Sequence, residues 1–489
     1  MRQESGMIRI EIRPGFYRDS VSLMQVSQRA GVGVSGALVA MATPLNVELA
    51  IQMGFVLPPT SPNDLIIAID APNEESLSHA FDVVEEVLDE QLRKSREQSS
   101  DSGFTPARTL GRTQGAGIAL ISVPGEFAFI DAVDALENDM NVMIFSDNVT
   151  VQDEILLKDI AIARDLLVMG PDCGTAIIGG VGLGFANVVS PGSVGIIAAS
   201  GTGAQHLTTL LDHAGIGISH CIGLGGRDLS SAVAGRSAKQ ALALLDADEH
   251  TDLIVFVSKP AAPEVAESLQ NVARAMKKKV IFGLLGPTGS DITETAEKVL
   301  DELGVTHRPW VNEVADAGST GPTGGSLRGL FAGGTLCDEA MLIASKRTRV
   351  PIFSNIPLEK EWLIDPFGPA TSHAFIDFGD DAMTVGRAHP MIDSKLRTER
   401  LAKEINDPSC GVILMDVVLG HGATSTPGEE LSATISESSK PIFISLIGTT
   451  LDPQNFERQK AILAQAGAKV FLSNAYATHA ALDALGVPR

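Results

Sequence analysis

Two short runs of small and hydroxylated residues, Ser200-Gly201-Thr202-Gly203 and Gly333-Gly334-Thr335, each close an apolar strand and open a helix. The first lies in VGIIAASGTGAQHLTTLL, residues 194–211, and the second in LRGLFAGGTLCDEAMLI, residues 327–343. Such a turn supports anion binding. First-turn N–H groups lack an intrahelical acceptor, the helix macrodipole is positive there, and the threonine hydroxyl adds a donor. Glycine also lets a helix approach a sheet closely, so one turn of this kind could be packing alone. Two matched turns point to a paired phosphate or carboxylate site.

Other residues fall where chemistry could occur. His206 sits in the first turn of the first helix, where a neutral imidazole could touch phosphate. Arg227 follows Gly225-Gly226, and its guanidinium could clamp a carboxylate or phosphate in two-pronged fashion; a salt bridge to Asp228 or a surface acid is the alternative. His421, in LGHGATSTPGEE, follows a strand end between glycines, a ligand position in parallel sheets, beside a plain surface or structural reading. His220 and His373 are equivalent in the repeat, precede strands and read as structural. Pro124, Asp147 and Asp172 close successive strand-end loops, as ligand contacts or as caps of the next helix or turn. Asp377, Asp380 and Asp381 follow another strand end, where carboxylates with a substrate phosphate could hold Mg²⁺ or form a solvated acidic loop. Cys173, Cys221, Cys337 and Cys410 are far apart without CxxC or Cys/His spacing, so neither disulfides nor a zinc site is expected.

The likeness between the two turns continues around them. SHCIGLGGRDL (219–229) answers SHAFIDFGDD (372–381), TDLIVFVSK (251–259) answers CGVILMDVV (410–418), and KKKVIFGLLG (277–286) answers KPIFISLIG (440–448). A repeat of this length implies two copies of a whole α/β domain, here 193–306 and 327–489. Ahead of them, residues 118–192 alternate strand and helix as a Rossmann-like domain. Residues 1–95 form a smaller α/β subdomain that begins with the alternating MIRIEIR and ends in a helix that Asn73 can cap. The polar, Gly/Ser-rich stretches 96–117 and 307–326 read as linkers.

The chain has 489 residues, 44% hydrophobic and only 4% aromatic, with 48 glycines, a balance that suits α/β domains with buried parallel strands. A net charge of −23 argues against nucleic acid and anionic lipid as partners. No apolar run nears the roughly 18 residues a membrane helix needs, and the start is no signal peptide, so a cytoplasmic protein is expected.

The strand-end loops SVPGEF, FSDN and GPDC, followed by IIAASGT, stand in the order of the succinyl-CoA synthetase alpha subunit. FAGGTLCDEAML, FIDFGDD and VILMDVVLG resemble the ligase domain of the matching beta subunit. The whole arrangement, with FYRDSVSLM near the start, is similar to the FdrA family of acyl-CoA-synthetase-like proteins. The resemblance implies a CoA-binding-type Rossmann-like domain followed by two flavodoxin-like ligase domains. The two turns would then hold both halves of one phosphate site, with CoA as a further ligand near Pro124, Asp147 and Asp172. In such synthetases phosphate passes through a histidine on a loop after the last strand of the alpha ligase domain. Residues 283–304, the corresponding stretch, contain none. Where a supporting glutamate is expected, the chain has Val257-Ser258-Lys259-Pro260, and no ATP-grasp domain fits in the first 117 residues. The FdrA resemblance therefore implies a subunit of an oxamate carbamoyltransferase, acting on an acyl or carbamoyl phosphate with phosphate as substrate. It also implies partner subunits and self-association. An acid-thiol ligase subunit and a non-catalytic metabolite-binding scaffold are the alternatives.

Overall fold

The computed structural model describes residues 7–16, 18, 20–101, 115–259, 261–312, 323–370, 372–384 and 387–488. Tyr17 and Asp19 of FYRDSVSLM, Pro260, and residues 102–114 and 313–322 of the two expected linkers lie outside them. The chain divides into two compact units, one of residues 1–105 with 380–389 and the other of the remainder.

In the smaller unit, β1 (Met7–Arg13), β2 (Gly36–Met41) and β3 (Leu65–Ala71) form an antiparallel sheet in the order β1-β3-β2. Helix α1 (Ser20–Ala30) and α3 (Glu74–Asp101) pack on one face, through Leu23, Val26, Phe81 and Val84. Helix α2 (Pro44–Gln52) covers part of the other through Leu49 and Ala50. Asn73 accepts the N–H of Ser76, as a helix cap should. Helix α3 runs to Asp101, six residues into the stretch expected as a linker: Ser95-Arg96-Glu97-Gln98 continue the helix because nothing there breaks it.

The larger unit begins with a parallel three-stranded sheet, β4 (Ile118–Ile121), β5 (Asn141–Ile144) and β6 (Val168–Met169), flanked by α4 (Gly125–Glu137) and α5 (Val151–Ala163). The hairpin β7 (Thr175–Ile178) and β8 (Val181–Gly184) does not stay with that sheet. It pairs antiparallel onto the first repeat copy, so residues 175–184, expected within the Rossmann-like domain, extend its neighbour. The order there is β12-β11-β9-β10-β7-β8, with β9 (Pro191–Ala199), β10 (Ile218–Gly223), β11 (Leu253–Ser258) and β12 (Lys279–Leu284) parallel. Its helices are α6 (Gly201–His213), α7 (Arg236–Ala247), α8 (Pro263–Arg274) and α9 (Ile292–Glu302).

The second copy carries β13 (Ser326–Phe331), β14 (Phe353–Ser354), β15 (Ala374–Asp377), β16 (Cys410–Val418), β17 (Ile442–Ile447) and β18 (Lys469–Phe471), all parallel, in the order β14-β15-β13-β16-β17-β18. Laid against one another, β10-β9-β11-β12 and β15-β13-β16-β17 are the same flavodoxin-like path. The fold is α/β, as the sequence predicts. Strands such as β16, buried along all nine residues, read as continuous apolar runs because helices cover both faces. The helices here are α10 (Gly334–Thr348), α11 (Asp381–Thr384), α12 (Lys395–Asn406), α13 (Pro427–Ser436), α14 (Phe456–Gln465) and α15 (Asn474–Leu485), of which α11 counts with the smaller unit.

Candidate functional site

The two glycine-threonine turns meet. Helices α6 and α10 pack against each other, and at their starts the Ser200 and Thr335 hydroxyls hydrogen-bond at 2.6 Å across the boundary between the repeat copies. Thr202 lies against Gly333, where an added Cβ would stand 2.8 Å from the Thr202 hydroxyl. Gly203 has a similar constraint, with Ser200 Oγ and Thr335 Cγ2 at 2.4 and 3.2 Å from its missing Cβ. Glycine is required at Gly203 and Gly333 for the turns to approach this closely. Ser200 and Thr335 are buried, while Gly201, Thr202 and Gly334 are partly open to solvent.

The donors divide unequally. Ser200 caps its own helix, accepting the Gly203 N–H at 2.9 Å. Gly333 has no side chain to cap with, and Asp416 of β16 reaches over to accept the N–H groups of Ala332 and Gly333, both at 2.8 Å. Burial raises the Asp416 carboxyl, against the pull of Arg397, whose guanidinium donates to it at 2.7 Å. What remains for a ligand are the first-turn N–H groups of Gly201, Thr202, Gly334, Thr335 and Leu336, those that helix geometry leaves without intrahelical acceptors.

Beside Gly334 stands the ammonium of Lys259, just beyond β11, 3.2 Å from where a Cβ of residue 334 would lie. Lys259 is 3.5 Å from Asp338, one turn into α10. Burial lowers its basicity, but Asp338, Asp377 and Asp172 more than offset this and hold it above the ordinary lysine value. Burial in turn raises Asp338, with Lys259 opposing. Carboxylates outnumber the one ammonium here, so a phosphate must draw Lys259 from Asp338 rather than meet a bare cation. Asp172 belongs to this edge of the site. Its loop packs on Gly225-Gly226, with Asp172 Oδ2 3.2 Å from the missing Cβ of Gly226.

Several sequence candidates sit elsewhere. His206 is wholly buried where α6 meets the start of α15, its Nε2 3.2 Å from the Leu472 carbonyl. Burial drives its pKa down to about 3, so it is a neutral core histidine, bonded to the backbone at Leu472 and Asn474. Arg227 clamps the protein rather than a ligand: its guanidinium donates to the Val149 carbonyl at 2.8 Å and lies 3.0 Å from Glu154. The partner is neither Asp228 nor a surface acid. Asp228 instead pairs with buried Lys158, which also bonds Glu154, both at 2.7 Å, tying α5 to the first copy. His421 is exposed, and its backbone N–H donates to the Ala186 carbonyl at 2.8 Å, a bridge beside the buried Asn187–Asp452 contact that ties the segment ahead of β9 to the second copy. His220 and His373 each accept a backbone N–H, from Gly179 and Leu327. Pro124 precedes α4, and Asp147 packs its carbonyl against Gly125, whose Cβ would fall 2.1 Å away. Asp377 counts with the larger unit, Asp380 and Asp381 with the smaller. Among the described residues no group of three or more His, Cys, Asp or Glu is placed to hold a metal ion.

Lys259, Asp338 and Asp416 are the site residues that sequence reasoning missed. Lys259 was visible as a charge reversal at the expected glutamate position. Asp416 had no such signal, since one acid in an apolar strand does not say which backbone it will cap.

Comparison with known proteins gives the family of the chain. A family model described as CoA-ligase matches residues 330–484, and one described as the AllF heavy metal-associated domain matches 7–105. Residues 7–105 contain no cysteine and one histidine, His79, so they carry no thiolate ligand for a metal ion. The uncharacterized protein YahF of Escherichia coli (strain K12) is 36% identical over 94% of this chain and 95% of its own length. The malate–CoA ligase alpha subunit of Methylorubrum extorquens is 24% identical over 45% of this chain and 79% of its own. Among solved structures, a dinucleotide-forming acetyl-coenzyme A synthetase of Ca. Korarchaeum cryptofilum with phosphate and ADP covers 76% of this chain and 82% of its own at 16% identity, with a TM-score of 0.30. No helix among the described residues is long and apolar enough to cross a membrane.

Proposed function

Since the chain belongs to the family of Escherichia coli YahF and carries a CoA-ligase domain, we propose that it exchanges an acyl group between a CoA thioester and inorganic phosphate. The reaction is acyl-CoA plus hydrogen phosphate giving acyl phosphate plus CoA. A phosphate oxygen adds to the thioester carbonyl, the C–S bond breaks, and the phosphate proton leaves with the thiol. This is the half of an acid-thiol ligase reaction that needs no phosphohistidine, which fits the histidine-free stretch 283–304. The observation that carries the proposal is the contact of two helix N-termini, Ser200 to Thr335 at 2.6 Å, beside the Lys259 ammonium. Backbone donors and Lys259 hold the phosphate and the charge that develops at the carbonyl oxygen. Asp172 and the loops of Pro124 and Asp147 would receive the CoA side.

A second reading rests on the AllF match over residues 7–105 and the FdrA resemblance. There the carbonyl is the carbamoyl group of oxalurate, and phosphate expels the amide nitrogen of oxamate to give carbamoyl phosphate. The site chemistry is the same attack by phosphate, and partner subunits would supply what this chain lacks. Purified protein should release free thiol from an acyl-CoA panel only when phosphate is present, with acyl phosphate trapped as hydroxamate. Phosphate-dependent breakdown of oxalurate without thiol chemistry selects the second reading. Absence of both, with candidate partners added, overturns the phosphate-site proposal.

A further inference from the structure

The sheet of the smaller unit has two edges with different surroundings. Edge strand β2 is largely buried, with Ala37, Leu38, Val39 and Met41 each 6% exposed or less. Edge strand β1 is the reverse: Met7 is 43% and Ile8 52% exposed, and the Arg9 side chain is 54% exposed. Among the described residues β1 pairs only with β3, so one side of it offers unpaired backbone groups. An open edge strand templates pairing with another strand, and on β1 charged residues alternate with isoleucines, so the pairing is selective.

From this edge we propose that β1 is a homodimer interface, pairing antiparallel with β1 of a second copy around an Ile10–Ile10 centre. The residues of MIRIEIR determine both partner and register. In antiparallel pairing about Ile10, Arg9 faces Glu11 of the second copy and Glu11 faces its Arg9, while Ile8 faces Ile12. Centring on Arg9 or Glu11 sets like charges opposite one another, and parallel in-register pairing does so at every charged position. A one-residue slip sets isoleucines against charges on the same face. The strand's own contacts leave this geometry free. Arg9 lies over Phe81 at 4.1 Å, and Glu11 sits between Arg9 and Arg13, at 3.6 and 2.8 Å, on the helix-covered face. Ile10 and Ile12 point to the opposite face, against the cluster of Leu38, Leu49 and Ile66. Pairing of this kind is isologous and closes at two copies.

The charge pattern supplies its own test. In light scattering of the full-length chain, wild type should have twice the monomer mass. Arg9→Glu puts acid opposite acid twice per dimer, so the dimer dissociation constant should rise at least tenfold. Arg9→Glu/Glu11→Arg restores complementarity and should restore the dimer. Hydrogen exchange adds a reading that folding defects do not mimic: amides of residues 7–13 should gain protection as concentration rises, and lose that dependence in Arg9→Glu. A monomeric wild type, whether β1 is bare or covered from within the chain, overturns the proposal. So does an oligomer indifferent to the single charge reversal.

Discussion

In the first repeat copy the strand–helix turn is capped from within, by the Ser200 hydroxyl on the Gly203 N–H. In the second the turn begins with Gly333 and is capped from a neighbouring strand by Asp416, whose charge Arg397 balances in a fully buried pair. The aligned positions show the exchange. Asp416 answers Val257 in the first copy, and Lys259 answers Val418 in the second. One copy thus gives the site its cation, and the other gives it a rigid glycine turn. Sequence symmetry at the turns hides a division of labour that arises on the neighbouring strands β11 and β16.

The largest effect should come from the cap of the second copy. Asp416→Ala strands a buried guanidinium and two backbone N–H groups, and breaking such a pair costs about 3–5 kcal/mol. Val257→Ala, its counterpart, removes only two methyl groups from the core and should cost far less. Urea midpoints compare the two directly. Near-equal losses would mean that Asp416 does not hold the turn as described.

Next in size is the cation. Lys259→Met should reduce phosphate-dependent turnover by about 10²–10³-fold, the range for losing one preorganised electrostatic group, with the fold intact because the side chain is partly exposed. Asp338→Asn should act in the opposite direction on phosphate KM, since it releases Lys259 from its nearest carboxylate. Because the surrounding carboxylates hold Lys259 above the ordinary lysine value, it stays charged through the neutral range. No loss of phosphate binding should therefore accompany a rise in pH until strongly alkaline conditions. A Lys259→Met enzyme with unaltered phosphate dependence would remove the lysine from the mechanism.

Much of this comparison was legible in the residues. The repeat, the strand order it implies and both turns follow from apolar runs ending in Gly-Thr, because buried parallel strands and tight helix starts leave strong local patterns. Legibility failed where a side chain answers to something distant in sequence. Arg227 looked like a ligand clamp because its loop is glycine-rich, but Glu154 and Val149, from the preceding domain, occupy it. His206 looked catalytic by its place in a first helical turn. The side chain instead points along α6 into the packing against α15, which no local pattern records. The hairpin of residues 175–184 changed sheets for the same reason: antiparallel pairing with β10 is a tertiary choice.

The two turns also differ in the room around their glycines. At Gly334 an added Cβ would stand 2.6 Å from Asp377 Oδ2 and 3.2 Å from Lys259 Nζ, whereas at Gly201 the nearest atom is the Thr175 hydroxyl at 3.3 Å. Gly334→Ala should therefore cut phosphate-dependent turnover at least tenfold by displacing the Lys259–Asp377 arrangement. Gly201→Ala should be milder, and only a larger side chain such as valine there should match it. Steady-state kinetics against phosphate orders the three variants, and an equal loss from both alanines would contradict the asymmetry.

The smallest expected effect isolates the single bond that joins the two turns. Ser200→Ala removes the Gly203 cap and the bridge to Thr335 together, a loss of about 1–2 kcal/mol for a helix cap and a buried hydrogen bond. Thr335→Val keeps the shape that packs on Gly203 but deletes the hydroxyl, at about 1 kcal/mol. Because both substitutions break the same 2.6 Å contact, the double variant should fall short of their sum by roughly 0.5–1.5 kcal/mol. Denaturant unfolding of the four proteins measures that coupling, and phosphate binding to each shows whether the bridge also positions the free N–H groups. Coupling in stability without coupling in binding would make the bridge a fastener of the two copies. Coupling in both would make the facing turns one anion site, and none in either would mean that the hydroxyls do not meet in solution.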